Sequence, residues 1–117
     1  MQLLTKDIER KLRKNGEAQK IAQAEDRALD FFPVVKLFTP DAGATWLLTE
    51  LDPDDPDIAF GLCDLGLGFP ELGTVSLTEL REVRGRLGLP VERDLSFKAE
   101  RPLSSYAADA EALGHIA

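Results

Sequence analysis

Between Ala44 and Val75 the chain carries three β-type runs whose connections leave one way of pairing them. Residues 45–51, 58–64 and 71–75 are rich in β-branched, aromatic and leucine side chains. Asp52-Pro53-Asp54-Asp55-Pro56-Asp57 parts the first two, and a Gly66-Leu67-Gly68 turn parts the second two. A parallel crossover needs roughly a dozen or more residues. The runs are therefore expected to pair as antiparallel neighbours, with the acidic Pro/Asp segment a turn that cannot continue the sheet. Residues 46–51 are apolar on both faces, which places them mid-sheet. In 58–64, Ile58, Phe60 and Leu62 fall on one side and the smaller Ala59, Gly61 and Cys63 on the other. A small side invites close approach by a neighbouring element.

The flanks extend this pattern. Residues 34–38, between Pro33 and Pro40, read as a first strand, and 91–97 as a fifth. Thr5 caps a helix running to about Asn15, with Ile8 and Leu12 on one face and Gly16 as its stop. Residues 17–30 are Ala-rich and predict a second helix with a thin apolar stripe, ended by Pro33. Ser76 followed by Glu79 is a capping box opening a helix over 77–84, with Gly85 just past its end. Pro102 begins a C-terminal helix that Gly114 stops. The reading is a single α+β domain of 117 residues: a helical segment 1–30, a mainly antiparallel sheet of about five strands over 34–97 with one inserted helix, and a helix over 102–114.

Charge bears on partners. The formal net charge of −7 repels polyanions and anionic membranes, so nucleic acid is a disfavoured partner and another protein the expected one. Residues 1–20 hold six Lys/Arg against three acids, whereas 41–82 hold ten acids against Arg81 alone. The basic helix, with Lys6, Arg10 and Lys11, and the pair Arg84 and Arg86 around Gly85 are the candidate surface contacts. Each is read against a solvated helix face or simple complementation of a helix dipole. No apolar run reaches membrane-spanning length, and the opening residues turn charged too soon for a signal peptide. One cysteine permits no internal disulfide, which suits a reducing, cytoplasmic setting.

Little here points to catalysis, cofactors or metals. Cys63 lacks a companion base, because the only histidine is His115 near the C-terminus. The acidic turn lacks the glycine and distal glutamate of an EF-hand loop. Gly66-x-Gly68 followed by Gly73 has neither the spacing nor the βαβ setting of a dinucleotide loop. The segment 91–97 is more informative: alternation puts Arg93 beside Val91, Leu95 and Phe97 on the apolar side. A guanidinium there needs a carboxylate. Glu50, placed on one strand face with Trp46 and Leu48, is the first candidate, and Glu79 the second. The group is either a packed ion pair fixing register or a polar pocket beside Trp46.

Phe38-Thr39-Pro40-Asp41, Thr45-Trp46, Thr49-Glu50, Phe60-Gly61-Leu62, Glu71-Leu72-Gly73, Ser76-Leu77-Thr78-Glu79-Leu80, Val83-Arg84-Gly85 and the run from Gly88 to Lys98 together resemble the bacterial "domain of unknown function 2958" family. The Leu3-Leu4-Thr5 opening fits as well, while residues 17–30 and the helix after Pro102 stand outside the shared pattern. The resemblance supports the fold. It implies an accessory protein of plasmids and other mobile elements, and brings no activity, cofactor or catalytic residue. Three functions compete: a non-catalytic interaction module, a nucleic-acid-binding or nucleic-acid-mimicking regulator, and, least supported, an enzyme using carboxylates and arginine.

Overall fold

The computed structural model describes residues 2–117. Its elements are α1 (Lys6–Ala24), β1 (Val35–Phe38), β2 (Thr45–Asp52), β3 (Asp55–Asp64), β4 (Glu71–Ser76), α2 (Leu77–Glu82), β5 (Glu92–Arg93) and α3 (Leu103–Leu113). The strands form one sheet in the order β4-β3-β2-β1-β5, antiparallel throughout. The α+β class, the meander and the central position of the tryptophan strand are as the sequence predicts.

Apolar residues cover both faces, not one. On the first face Val35, Leu37, Trp46, Leu48, Leu51 and Ala59 pack with Leu12 of α1 and with Leu77 and Leu80 of α2. On the second, Leu47 and Leu62 pack with Leu103 and Ala110 of α3, and Phe60 lies against this smaller cluster. The alternation expected in β3 holds, with Ala59 on the first face and Phe60 and Leu62 on the second.

Where β2 meets β3 the ladder slips. Leu48 pairs with Gly61, but Glu50 pairs with Phe60, so Thr49 is an extra residue in β2. The bulge presses the strands together: a Cβ on Gly61 would collide with the backbone of Leu47 and Leu48. The small side of β3 therefore accommodates β2 itself. A larger irregularity follows, because Leu51 pairs with Ala59 and Asp52 with Asp55. The hairpin thus continues into the acidic segment, contrary to expectation. Pro56 is tolerated because it sits in that irregularity and owes the ladder no N–H.

The N-terminal half departs most from the sequence reading. Thr5 caps α1 as predicted, its hydroxyl accepting from Ile8 N at 3.1 Å. However, α1 runs through Gly16 to Ala24 as one helix. Gly16 is buried because its Cα rests on the backbone of β2, where a Cβ would overlap Leu51 O. The glycine is a contact surface, and its cost in helix propensity is met by packing. Beside it, Asn15 Nδ2 donates to Thr49 O at 2.9 Å. Helix α1 thus lies along the part of the β2 edge that β1 leaves free. Past Ala24 the chain is irregular, and it is anchored by Gln19, which donates to Leu29 O and accepts from Leu29 N, each at 2.9 Å.

Three other ends move. Helix α2 stops at Glu82, so Gly85 is not its terminal glycine; Gly85 faces the carboxylate of Asp41. Strand β5 is only Glu92–Arg93, because Ser96 N donates to Asp94 Oδ1 in a turn that carries Phe97 to the second face. Helix α3 begins at Leu103, one residue after Pro102, and ends at Gly114 in the left-handed region at φ 78°. Its first turn is capped from afar: Ser104 N and Oγ donate to Asp30, and Leu103 N donates to Phe31 O.

Replacing Gly16 by Ala should destabilise the fold by about 1–3 kcal/mol in urea unfolding, the range for overpacking. Helix propensity alone predicts a gain of about 1 kcal/mol, so the sign decides between a helix stop and a packed contact. Asp57 accepts from Ser76 Oγ, Thr78 N and Thr78 Oγ1 at 2.6–2.9 Å, which holds its carboxyl below the usual range. A depressed folded value adds stability above the unfolded value that is lost as pH falls through the folded one. Asp57→Asn should therefore lower Tm at neutral pH, with the difference closing in acid, as differential scanning calorimetry across pH would read.

Candidate functional site

The bulge at Thr49 decides where Glu50 points. Without it Glu50 would share a face with Trp46 and Leu48. With the slip it stands on the second face, directly across from Phe60, which pairs in turn with Thr74 of β4. Helix α3 covers Leu47 and Leu62 and covers Phe60 only in part, so the Glu50–Phe60–Thr74 row stays partly exposed. Two hollows flank the row. One of about 280 Å³ lies between Glu50, Phe60 and Ile58, the hairpin tip at Asp52–Asp54, and Gln19 and Lys20 of α1. The other, of about 250 Å³, lies between Glu50, Phe60 and Leu72, the chain around Leu29–Phe31, and Leu103 of α3.

Glu50 is half-buried, and burial pushes its carboxyl above the usual range, partly offset by hydrogen bonding from Thr49 and Gln19. No ion pair among the described residues includes it. The lysine on the rim, Lys20, is held by both oxygens of Asp54 at 2.8 and 3.0 Å. That contact raises Lys20.

The group expected around Arg93 does not assemble. Arg93 does lie on the first face, in one row with Leu37, Trp46 and Cys63. Its guanidinium is satisfied by main-chain carbonyls, donating to Gln2 O at 2.6 Å and Leu3 O at 3.1 Å, and not by a carboxylate. Trp46 is buried in the first core, Glu50 faces the opposite way, and Glu79 is exposed in the first turn of α2. Alternation along the run 91–97 puts Arg93 on the correct face; a bulge of one residue has no comparable signature.

The basic residues are largely neutralised locally. Arg10 and Lys11 both pair with Asp7, and Arg13 with Glu9. Arg84 donates to Arg81 O and Val83 O, closing the carbonyl end of α2. Lys6, Arg81 and Arg84 nevertheless line one groove of about 710 Å³, shared with Glu9 and Glu92. Arg86 is exposed in the following loop, and the anion that this loop faces is internal: Asp41 Oδ2 accepts from Leu87 N at 2.6 Å and Leu89 N at 3.4 Å. Asp41 Oδ1 is buried against Gly85 with no partner.

Sequence reasoning missed these remote acceptors. Asp41, Asp57 and Asp64 each hold backbone far along the chain; buried Asp64 accepts from Gly66 N at 2.8 Å and Ile116 N at 3.0 Å. Only the short Asp-x-Gly turn at Asp64 left a local mark. Within the acidic hairpin, Asp52 and Asp55 accept from the N–H two residues on, and Asp54 and Asp57 are occupied as described. No cluster of three or more His, Cys, Asp or Glu suited to a metal ion occurs among the described residues. Cys63 is half-buried, and burial pushes its thiol up. His115 is exposed. No described helix is long and apolar enough to cross a membrane.

The fold and the open row define an α+β sheet protein with one partly uncovered face. The chain matches the family described as "Protein of unknown function (DUF2958)" over residues 3–117 and belongs to that family. The match runs through residues 17–30 and α3, both of which the shared motifs alone had set apart. No curated protein and no solved structure matches.

A carboxyl raised on folding contributes stability that is present below its unfolded value and lost as pH rises through the folded one. Ionised Glu50 therefore opposes folding at neutral pH. Glu50→Gln should give a small rise in Tm at pH 7 that disappears near pH 4, measured by thermal scans at both values.

Proposed function

We propose that this chain is a non-catalytic protein-interaction module and that the open half of the second sheet face is the surface it presents. The observation that carries this is the Glu50–Phe60–Thr74 row. It is only partly covered, with Glu50 and Phe60 half-buried and Thr74 exposed, and it ends at β4, whose outer edge has no neighbouring strand among the described residues. Leu72, on the same face of β4, is 50% exposed. An open edge beside side-chain hollows suits an extended segment that adds main-chain hydrogen bonds and inserts alternate side chains. The use of Asp41, Asp57 and Asp64 as structural acceptors supports the same reading, since carboxylates committed to backbone are poor candidates for acid–base work. The accessory role that the family resemblance implies fits a module of this kind.

A second reading rests on the groove of Lys6, Arg81 and Arg84, which suits a phosphate. Glu9 and Glu92 in the same groove, and the net charge of −7, weigh against it.

The wild-type chain should capture a stoichiometric partner from the native host. Leu72→Glu and Thr74→Lys, at exposed positions, should lose that partner without a change in Tm, and Lys11→Glu on α1 should keep it. Capture unaffected by both β4 substitutions, or no stoichiometric partner, overturns the proposal.

A further inference from the structure

The hollow beside Glu50 has a defined chemistry. Its floor carries a half-buried carboxylate that no cation of the described chain neutralises. A charge held partly out of water without a counter-ion is unfavourable, and an incoming cation relieves it. Asp52 and Asp54 add negative potential at the rim, and Lys20 is already engaged by Asp54. Beside apolar Phe60, Ile58 and Pro53, the lining includes polar Gln19, Gln23 and Thr74. Phe60 stands opposite Glu50 across the ladder, a pairing that places the two Cβ atoms about 5 Å apart. The volume of about 280 Å³ accommodates a single side chain.

We propose that this hollow binds a guanidinium group, the side chain of an arginine in a partner segment, with Glu50 as its counter-charge and Phe60 as the ring it stacks on. The inference rests on the interaction-module reading and names the chemistry of its partner. A guanidinium is preferred to an ammonium because it is planar and weakly hydrated. It can therefore donate to a carboxylate while lying on an aromatic face. A lysine ammonium keeps its water and gains less from apolar walls. A divalent ion would need about six oxygen ligands, and the acidic side chains nearby are engaged with backbone or with Lys20. The acidic stretch 41–82 supplies long-range attraction for a basic segment.

The test is an NMR titration of the full ¹⁵N-labelled chain with N-acetyl-arginine N-methylamide and with its lysine and citrulline counterparts. Arginine should give saturable shifts at Gln19, Glu50, Phe60 and Thr74. Citrulline should bind at least tenfold more weakly, and so should arginine to Glu50→Gln, a variant whose spectrum reports its own folding. Phe60→Leu should weaken arginine several-fold. Absence of saturable shifts, equal binding of citrulline, unchanged binding by Glu50→Gln, or lysine binding as tightly as arginine overturns the assignment. If arginine fails while Leu72→Glu still abolishes partner capture, the interface stands and the guanidinium site falls. If arginine saturates the hollow while capture survives both β4 substitutions, the interface reading falls alone.

Discussion

At Thr49 one extra residue is squeezed into β2, and much of the molecule follows from that slip. Thr49 turns its carbonyl to Asn15 of α1, so the helix can lie along a strand edge that would otherwise keep unpaired groups. Leu51 then presents its carbonyl to Gly16, and only a residue without a Cβ can meet it. Across the ladder the same compression excludes a side chain at Gly61. The two glycines serve one defect, on the two flanks of one strand. The bulge also sends Glu50 to the second face, where its carboxylate is half-buried.

The sequence was informative where local rules act alone. Thr5 and Ser76 announce their caps, Gly114 its left-handed stop, and the short connections their antiparallel pairing, because each signal involves residues a few positions apart. It misled where the deciding neighbour lies far along the chain. Gly16 looks like a helix stop by propensity, and the carbonyl that explains it belongs to Leu51. Residues 17–30 look poorly anchored, yet Gln19 and Asp30 fix them to Leu29 and Ser104. Alternation in 91–97 gave the correct face for Arg93, but the Asp94 turn ended the strand before it could place Leu95 or Phe97. The candidate site is legible in its parts, since Glu50 and Phe60 each fall in a clear strand run, and illegible in its assembly, which depends on the bulge at Thr49.

The acidity of the chain has a structural use. Aspartates at positions 30, 41, 57 and 64 accept from backbone N–H groups of elements joined to them only through the fold. A carboxylate accepts several such bonds at once and is well suited to loops that carry their own unpaired donors. Three of the ten acids between 41 and 82 are thus internal fastening. A nucleic-acid mimic would instead need its acids displayed along one surface.

Helix α3 shows what such fastening implies for how the chain can vary. Its first turn hangs on Asp30 and Phe31, and the backbone just beyond its end hangs on Asp64. The helix is therefore tied into the fold at both ends. Trimming it would release the connection around Leu29–Phe31 and, with it, one wall of the uncovered face. The seat of α3 and the shape of the exposed surface are in this way set by the same contacts.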